Sequence, residues 1–348
     1  MVPSAPDSSG SHPRRPTISD VARAAGVSIA VVSYALNGRA GVSAATRERV
    51  LRIADEFGWR PNAAASSLRS GPRAVGLVLT REAGVMAPAT FFLDFVSAVQ
   101  DVVAERELAV LLQIVDSPEA AVATYRKWWA EHRFDVMIVP DALTRDPRID
   151  ALRRMRTPAV VLGPRTGSQG LASVWSDEED ASSRIGTYLV ELGHREVAVV
   201  TGPAALHRTR LRLEVLTRVF DAVGGKLIHV ATTATPEEAA ATTRRLLTTS
   251  APPSAVVLDS DQMAVAALDV ARRLGLQVPW DLSIVAGSDS ALCRLATPSI
   301  TALSLPAGEL GAAVGRGVLA VLDGQPEYSW VEPIGGLAVR GSTAPRSR

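Results

Sequence analysis

The chain has 348 residues, 47 % of them hydrophobic and 21 % charged, with 37 basic and 36 acidic side chains and a single cysteine, Cys293. This is the composition of a folded globular protein long enough for more than one cored domain. One cysteine excludes an intrachain disulfide and a Cys/His zinc array, and no apolar run approaches the ~20 residues of a membrane helix.

The near-neutral total hides an uneven distribution. Residues 1–73 hold ten arginines and five acids, a net of +5, whereas the remaining residues hold 27 basic and 31 acidic side chains, a net of −4. A basic segment on a mildly acidic body is the footprint of a phosphate-binding module. Residues 1–16, rich in Pro and Ser and without an apolar core, are expected to be a disordered tail and not a signal peptide. The absence of a signal peptide and of an apolar span predicts a cytoplasmic protein.

Residues 17–60 carry three short helical patterns. Thr17 caps the first, with Asp20 three residues on as a capping-box partner, and Ile18, Val21, Ala22 and Ala25 share one face. Gly26 supplies the left-handed exit. Ser28 caps a second helix that turns Val32, Ala35 and Leu36 inward and leaves Ile29, Ala30, Ser33, Tyr34 and Asn37 facing out. Ser43 caps a third, whose Val50, Ile53, Ala54 and Phe57 repeat the apolar spacing. Two helices joined by a tight glycine turn and braced by a third make a helix-turn-helix, whose second helix enters the major groove of DNA. Residues 61–72 read as a hinge: Asn62 caps about two helical turns over 63–69, and Gly71-Pro72 ends them. So short a helix is marginal alone in water.

From residue 73 to 344 the pattern alternates apolar strands with amphipathic helices. Strands are predicted at Ala74–Leu79, Leu108–Val115, Asp135–Val139 and Pro158–Leu162, with helices at Phe92–Glu105, Pro118–His132 and Asp146–Arg156. After a Gly/Ser-rich stretch at 163–170, a second series has strands at Glu196–Val200, Lys226–Val230, Ala255–Leu258 and Ser283–Ala286. Its helices are predicted at Asp177–Leu192, Arg208–Val223, Pro236–Thr248 and Gln262–Leu274. Nearly all-apolar strands alternating with helices predict two doubly wound lobes with parallel sheets. The strand Ile300–Ser304 and the helix Ala307–Leu322 are expected to return to the first lobe. The segment from about Tyr328 is expected to return to the second, and 345–348 to be a tail. The expected fold is thus an all-α helix-turn-helix headpiece plus an α/β core of two lobes.

Residues 17–71 resemble the DNA-binding headpiece of the LacI/GalR family without a gap. The matching residues are Thr17-Ile18-x-Asp20-Val21-Ala22, Ala25-Gly26-Val27-Ser28, Val32-Ser33, Leu36-Asn37-Gly38, Val42-Ser43, Thr46-Arg47, Arg60-Pro61-Asn62 and Ser67-Leu68-Arg69-Ser70-Gly71. The body resembles that family's periplasmic-binding-protein-like core through Leu192-Gly193-His194-Arg195, Thr201-Gly202-Pro203, Asp261-Gln262-Met263-Ala264, Leu274-Gly275-Leu276-x-Val278-Pro279-x-Asp281 and Thr297-Pro298-x-Ile300-Thr301. The resemblance implies a homodimeric transcription regulator, expected to be a repressor. It would bind a palindromic double-stranded operator under control of a small-molecule effector, for example a sugar or sugar derivative. It would be nucleoid-associated when DNA-bound.

Residue by residue, the resemblance implies DNA contacts from Thr17, Ser28, Ile29, Ala30, Ser33, Tyr34, Asn37, Ser43, Thr46, Trp59, Asn62, Ala65 and Leu68. Leu68 stands at the leucine that wedges into a minor-groove base step. Tyr34 replaces an arginine found in many relatives. Effector contacts are implied for Phe91, Arg212, Asp261 and Asp289, with Arg212 and Asp261 able to clamp a polyol from the cleft between the lobes. Three departures put sugar recognition in question. Ala89-Thr90-Phe91-Phe92 replaces Asn-Pro-Phe-Phe, Gly163 stands where some relatives carry an aspartate, and Asp177-Glu178 replaces Asp-Asn.

No GxSxG, GxxxxGK[ST], HExxH or GxGxxG pattern occurs, and the five histidines show no metal-ligand spacing. An enzyme is not expected, nor a cofactor or a metal. The rival from another class is a cytoplasmic small-molecule-binding protein related to periplasmic sugar-binding proteins. Such a protein has no use for residues 17–71.

Overall fold

The computed structural model describes residues 17–36, 39–57, 74–80 and 89–346. The chain divides into two compact units, 1–71 and 72–348. In the first, α1 (Ile18–Ala25), α2 (Ile29–Leu36) and α3 (Ala44–Glu56) pack through Val21, Ala22, Ala25, Val32, Ala35, Val50, Ile53 and Ala54. Asp20 reaches back to the Thr17 backbone N–H at 2.8 Å, which fastens the start of α1. Gly26 ends it at φ +64°, and the Val27 N–H returns to the Ala22 carbonyl at 3.1 Å. Ser28 and Ser43 accept the Val31 and Thr46 N–H groups at 3.3 and 3.2 Å, so both predicted caps form. Phe57 differs from the expectation: it follows the last turn of α3 and is 41 % exposed, because its apolar spacing runs one turn past the three-helix core.

The second unit holds two six-stranded sheets. The first lobe is built from β1 (Ala74–Thr80), α4 (Ala89–Val103), β2 (Ala109–Val115), α5 (Pro118–Ala130), β3 (Val136–Val139), α6 (Pro147–Met155), β4 (Ala159–Leu162) and β5 (Ala172–Ser176). The second comprises α7 (Glu178–Glu191), β6 (Glu196–Thr201), α8 (His207–Asp221), β7 (Lys226–Ala231), α9 (Pro236–Leu247), β8 (Ala255–Leu258), α10 (Asp261–Arg273), β9 (Ser283–Ala286), α11 (Ala291–Leu295) and β10 (Thr301–Leu303). The chain then adds α12 (Ala307–Leu322) and β11 (Ser329–Glu332) to the first lobe and β12 (Leu337–Ala338) to the second.

The first sheet runs β11-β5-β4-β3-β1-β2, all parallel. The second runs β12-β10-β9-β8-β6-β7, parallel except for β12. Each lobe has two apolar clusters, one on each face of its sheet, as all-apolar parallel strands require.

Three expectations are corrected. The Gly/Ser-rich stretch 163–170, expected only to separate the two series, contains a turn of helix at Arg165–Ser168 and leads into β5, a strand the pattern does not predict, whose Ala172 and Val174 are buried. The strand at 300–304 joins the second sheet beside β9, and only the helix after it returns to the first lobe. The segment after Tyr328 first adds β11 to the first sheet and then crosses to the second.

The lobes are therefore joined by three crossings, at 176–178, 303–307 and 332–337. These lie together: the Asp177 N–H bonds the Glu332 carbonyl at 3.2 Å and the Ser304 N–H the Gly336 carbonyl at 3.2 Å. A fourth link is non-covalent. Leu143 and Leu206 form an antiparallel bridge, with Thr144 N–H on the Ala205 carbonyl and His207 N–H on the Ala142 carbonyl, both at 3.0 Å. The first-lobe side of this latch is braced by the buried Arg148–Asp146 pair. Asp146 also accepts the Leu143 N–H at 3.1 Å, and Arg148 Nη2 reaches the Asp141 carbonyl at 2.9 Å.

Candidate functional site

The headpiece presents α2. Its inward residues Val32 and Ala35 are fixed in the core, which leaves Ile29 50 % and Tyr34 42 % exposed, with Ala30 exposed beside them and Ser33 half-buried. Because α2 carries no charged side chain, a groove-facing surface there offers only apolar contact, a hydroxyl and an aromatic ring. Charge lies on the flanks. Arg39 places its guanidinium carbon 5.8 Å from the centre of the Tyr34 ring, and Arg47 Nη2 donates to the Arg39 carbonyl at 2.7 Å. Thr17, Ser28, Ser43 and Thr46 sit at helix N-termini, whose partial positive charge favours phosphate. Asn37, Trp59, Asn62, Ala65 and Leu68 lie outside the described residues, as does the hinge over 61–72.

In the second lobe, strand ends and helix starts gather acids. Asp259 follows β8, Asp261 opens α10, Glu178 opens α7, and residues 287–289 follow β9. Arg212 of α8 is 2 % exposed and lies between two of these acids. Its Nε donates to Glu178 Oε1 at 2.6 Å and its Nη1 to Asp259 Oδ1. Burial alone would disfavour the charge on Arg212, but the Glu178 and Asp259 carboxylates outweigh it and hold the guanidinium above its ordinary pKa. Asp259 Oδ2 accepts the Gly202 N–H at 2.7 Å, which ties the end of β6 into the same cluster. Gly287 closes over it, since a Cβ there would stand 2.8 Å from Arg212 Nη1.

Asp261 is buried. Its backbone N–H donates to Ser288 Oγ at 3.2 Å, and its carboxylate atom Oδ1 has no hydrogen-bond partner among the described residues. Asp289 is engaged by Arg340, through Nη1 at 2.9 Å and Nη2 at 2.7 Å. Arg212 and Asp261 thus share one neighbour, the loop 287–289, which carries Asp289. Phe91 stands apart. It borders a cavity of about 10 Å³ at the crossings, with Ser176, Leu305, Pro306, Leu310, Glu332 and Pro333. Two features of this site were not singled out from sequence: the partners of Arg212, Glu178 and Asp259, and the arginine that takes Asp289. An acid directly after a buried strand, Leu258-Asp259, was the available signal. No group of three His, Cys, Asp or Glu among the described residues could hold a metal ion. No single helix among them is long and apolar enough to cross a membrane.

Residues 17–62 match the model of bacterial regulatory proteins of the lacI family, and residues 187–343 match a periplasmic binding protein-like domain. The HTH-type transcriptional regulator MalR of Streptomyces coelicolor is 30 % identical over 350 residues, covering 94 % of this chain and 96 % of that protein. The chain belongs to the LacI family. It is a DNA-binding transcriptional regulator with an effector-binding, periplasmic-binding-protein-like core. Among solved structures, the lac repressor dimer bound to operator and an anti-inducer shares the fold at a TM-score of 0.82, 24 % identity, and coverage of 95 % of this chain and all of that one. The transcriptional regulator CelR in complex with cellobiose is 27 % identical, with a TM-score of 0.70 over 94 % of this chain and all of that one.

Proposed function

We propose that the protein is a homodimeric repressor that sets α2 of each headpiece into the major groove of one half of a palindromic operator. Ile29, Ala30 and Tyr34 meet base edges. Thr17, Ser28, Ser33, Asn37, Ser43 and Thr46 position the headpiece on the phosphates, and Trp59, Asn62, Ala65 and Leu68 serve the hinge and its minor-groove contact. The observation that carries this reading is the exposure of Ile29 and Tyr34 on an uncharged helix within a segment of net charge +5. The second copy is supported by apolar side chains left exposed in both lobes, Leu93, Leu112 and Ile114 in the first and Trp280, Leu292 and Leu295 in the second.

A small polyhydroxylated ligand, a sugar or sugar derivative, binds between the lobes and shifts their relation by the ~1–3 kcal/mol typical of allosteric coupling. The cellobiose of the related CelR complex supports a sugar. In this chain the ligand meets Asp261, whose Oδ1 is free to accept, and the edge of the Arg212 cluster, with Asp289 beside them and Phe91 approaching it separately from the first lobe. A second reading is favoured by charge. Glu178 and Asp259 share one buried cation, Arg212, and the buried Asp261 makes no ion pair among the described residues, so a ligand bearing an amino group would relieve the excess of acids. We assign the chain no catalytic step, and place its action in the cytoplasm and on the nucleoid.

The test is fluorescence anisotropy on an operator recovered from a randomised duplex library, with mono-, di- and amino-saccharides titrated in. One sugar class should change operator affinity at least fivefold for wild type, and Asp261→Asn should keep the affinity and lose the change. An unchanged response in Asp261→Asn removes this residue from the site. Protection of a palindrome by a monomer, as judged by light scattering, ends the dimer reading.

A further inference from the structure

An uncharged recognition helix raises the question of what supplies hydrogen-bond donors for the major groove. Among the described residues, the guanidinium of Arg39 lies against the outward surface of α2, over the Tyr34 ring. Three contacts build it into place. The Arg39 N–H donates to the Tyr34 carbonyl at 3.0 Å, its own carbonyl accepts from Arg47 Nη2 at 2.7 Å, and its guanidinium carbon stands 5.8 Å from the Tyr34 ring centre. Backbone on both sides is therefore fixed, one contact to α2 and one to α3, and the side chain folds back over an exposed ring on the face that meets DNA.

A guanidinium held against an aromatic face loses little further freedom on binding, and its N–H edge remains free to form two parallel bonds. Ordinary surface arginines of the headpiece are spent differently: Arg23 leans on Asp20 at 3.4 Å and Arg52 on Glu56 at 2.7 Å. No acid pairs with Arg39 in this way among the described ion pairs.

We propose that Arg39, oriented by Tyr34, is a specificity-determining residue that reads a guanine in each half-site through its O6 and N7. This pairing is the commonest specific arginine contact in the major groove. Tyr34 acts as the positioning residue, and its ring, not its hydroxyl, is what the arrangement needs. The inference rests on α2 entering the major groove.

The experiment is selection from a randomised duplex library with the full-length protein, followed by salt titration of affinity on the selected site and on random DNA. Wild type should select a site with one strongly preferred guanine per half-site. Arg39→Ala should lose that preference, with affinity for the selected site falling roughly five- to a hundredfold per half-site. Arg39→Lys should lose it too, while keeping the salt dependence, because the charge stays and the fork is gone. Tyr34→Phe should preserve the preference and Tyr34→Ala should weaken it with Arg39 intact. If Arg39→Ala weakens selected and random DNA equally and lowers the salt slope by about one per half-site, the contact is to phosphate and the proposal is wrong. It is equally wrong if Arg39→Ala selects the wild-type site. Failure of the wild type to select any site would overturn the groove placement of α2 as well, so the two failures are distinguishable.

Discussion

Arg212 holds two carboxylates inside the second lobe, so replacing it does more than remove a ligand contact. Arg212→Ala would leave Glu178 and Asp259 buried without their cation. We expect a loss of about 3–5 kcal/mol in urea denaturation, the scale for breaking a buried pair from one side. Asp261→Asn removes an unpaired buried charge and should not lower the unfolding midpoint. A midpoint for Arg212→Ala equal to wild type would show that the cluster contributes nothing to stability.

His194 makes a second residue-level case. Its Nδ1 faces Ser254 Oγ at 2.9 Å and its Nε2 faces Ser283 Oγ at 3.1 Å. Ser254 donates to the Glu196 carbonyl and Ser283 accepts the Ala344 N–H, so Ser254 accepts from Nδ1–H and Ser283 donates to Nε2. Burial holds the imidazole pKa below its ordinary value, in keeping with a neutral ring. The folded state then binds fewer protons than the unfolded chain. The contribution is intact above about pH 6.5 and is lost as pH falls through the lowered pKa. Stability curves of wild type and His194→Gln between pH 7.5 and about 5 should converge on the acid side; parallel curves would refute this. Neither arrangement was legible in sequence. Glu178 and Asp259 lie 34 and 47 positions from Arg212, and Ser254 and Ser283 lie 60 and 89 from His194, so no local pattern links them.

At the level of elements, local signals served well where one stretch determines its own conformation. Thr17 with Asp20, Gly26, Ser28 and Ser43 place the ends of the headpiece helices from chemistry contained within four residues. The misplaced elements are those decided by a distant partner. Thr301–Leu303 is a short buried triplet that either sheet could take, and only its register beside Ser283–Ala286 settles which. Strand β5 is five residues with two serines, and it becomes a strand because β4 and β11 flank it.

Helix α12 adds a feature of the same kind, its close approach to α4. A Cβ at Gly311 would stand 2.9 Å from the Ala98 Cβ, and one at Gly315 would stand 2.7 Å from the Val102 Cβ. A glycine-to-alanine change inside a helix ordinarily stabilises by about 1 kcal/mol. Here Gly315→Ala should instead destabilise by roughly 1–3 kcal/mol through overpacking, read as a lower thermal midpoint. Gly308 opens the same helix with nothing near it, so Gly308→Ala provides the control without a clash.

For the molecule as a whole, the exposed apolar side chains predict where two copies meet. Ile114 lies on the edge strand β2 and Leu295, 82 % exposed, lies on α11. A charge at either point would be buried without a partner in a dimer and would sit harmlessly in water in a monomer. Ile114→Asp and Leu295→Asp should each raise the dimer dissociation constant at least tenfold by analytical ultracentrifugation, with the monomer still folded. A constant unchanged in both would place the contact elsewhere.

The bridge between Ala142–Thr144 and Ala205–His207 rests mainly on main-chain N–H and carbonyl groups, with one side-chain contact, Thr144 Oγ1 to the Ala205 carbonyl at 3.3 Å, so most of its strength does not depend on which side chains those loops carry. The loops can be rewritten residue by residue to suit another ligand while the clasp between the lobes survives. Imino acids are the exception, because they have no hydrogen to give. A proline at position 144 or 207 would cut a strand of the clasp without altering the ligand's chemical surroundings. Such a variant separates how firmly the two halves are held from what is held between them, two properties that side-chain substitutions in a cleft ordinarily change together.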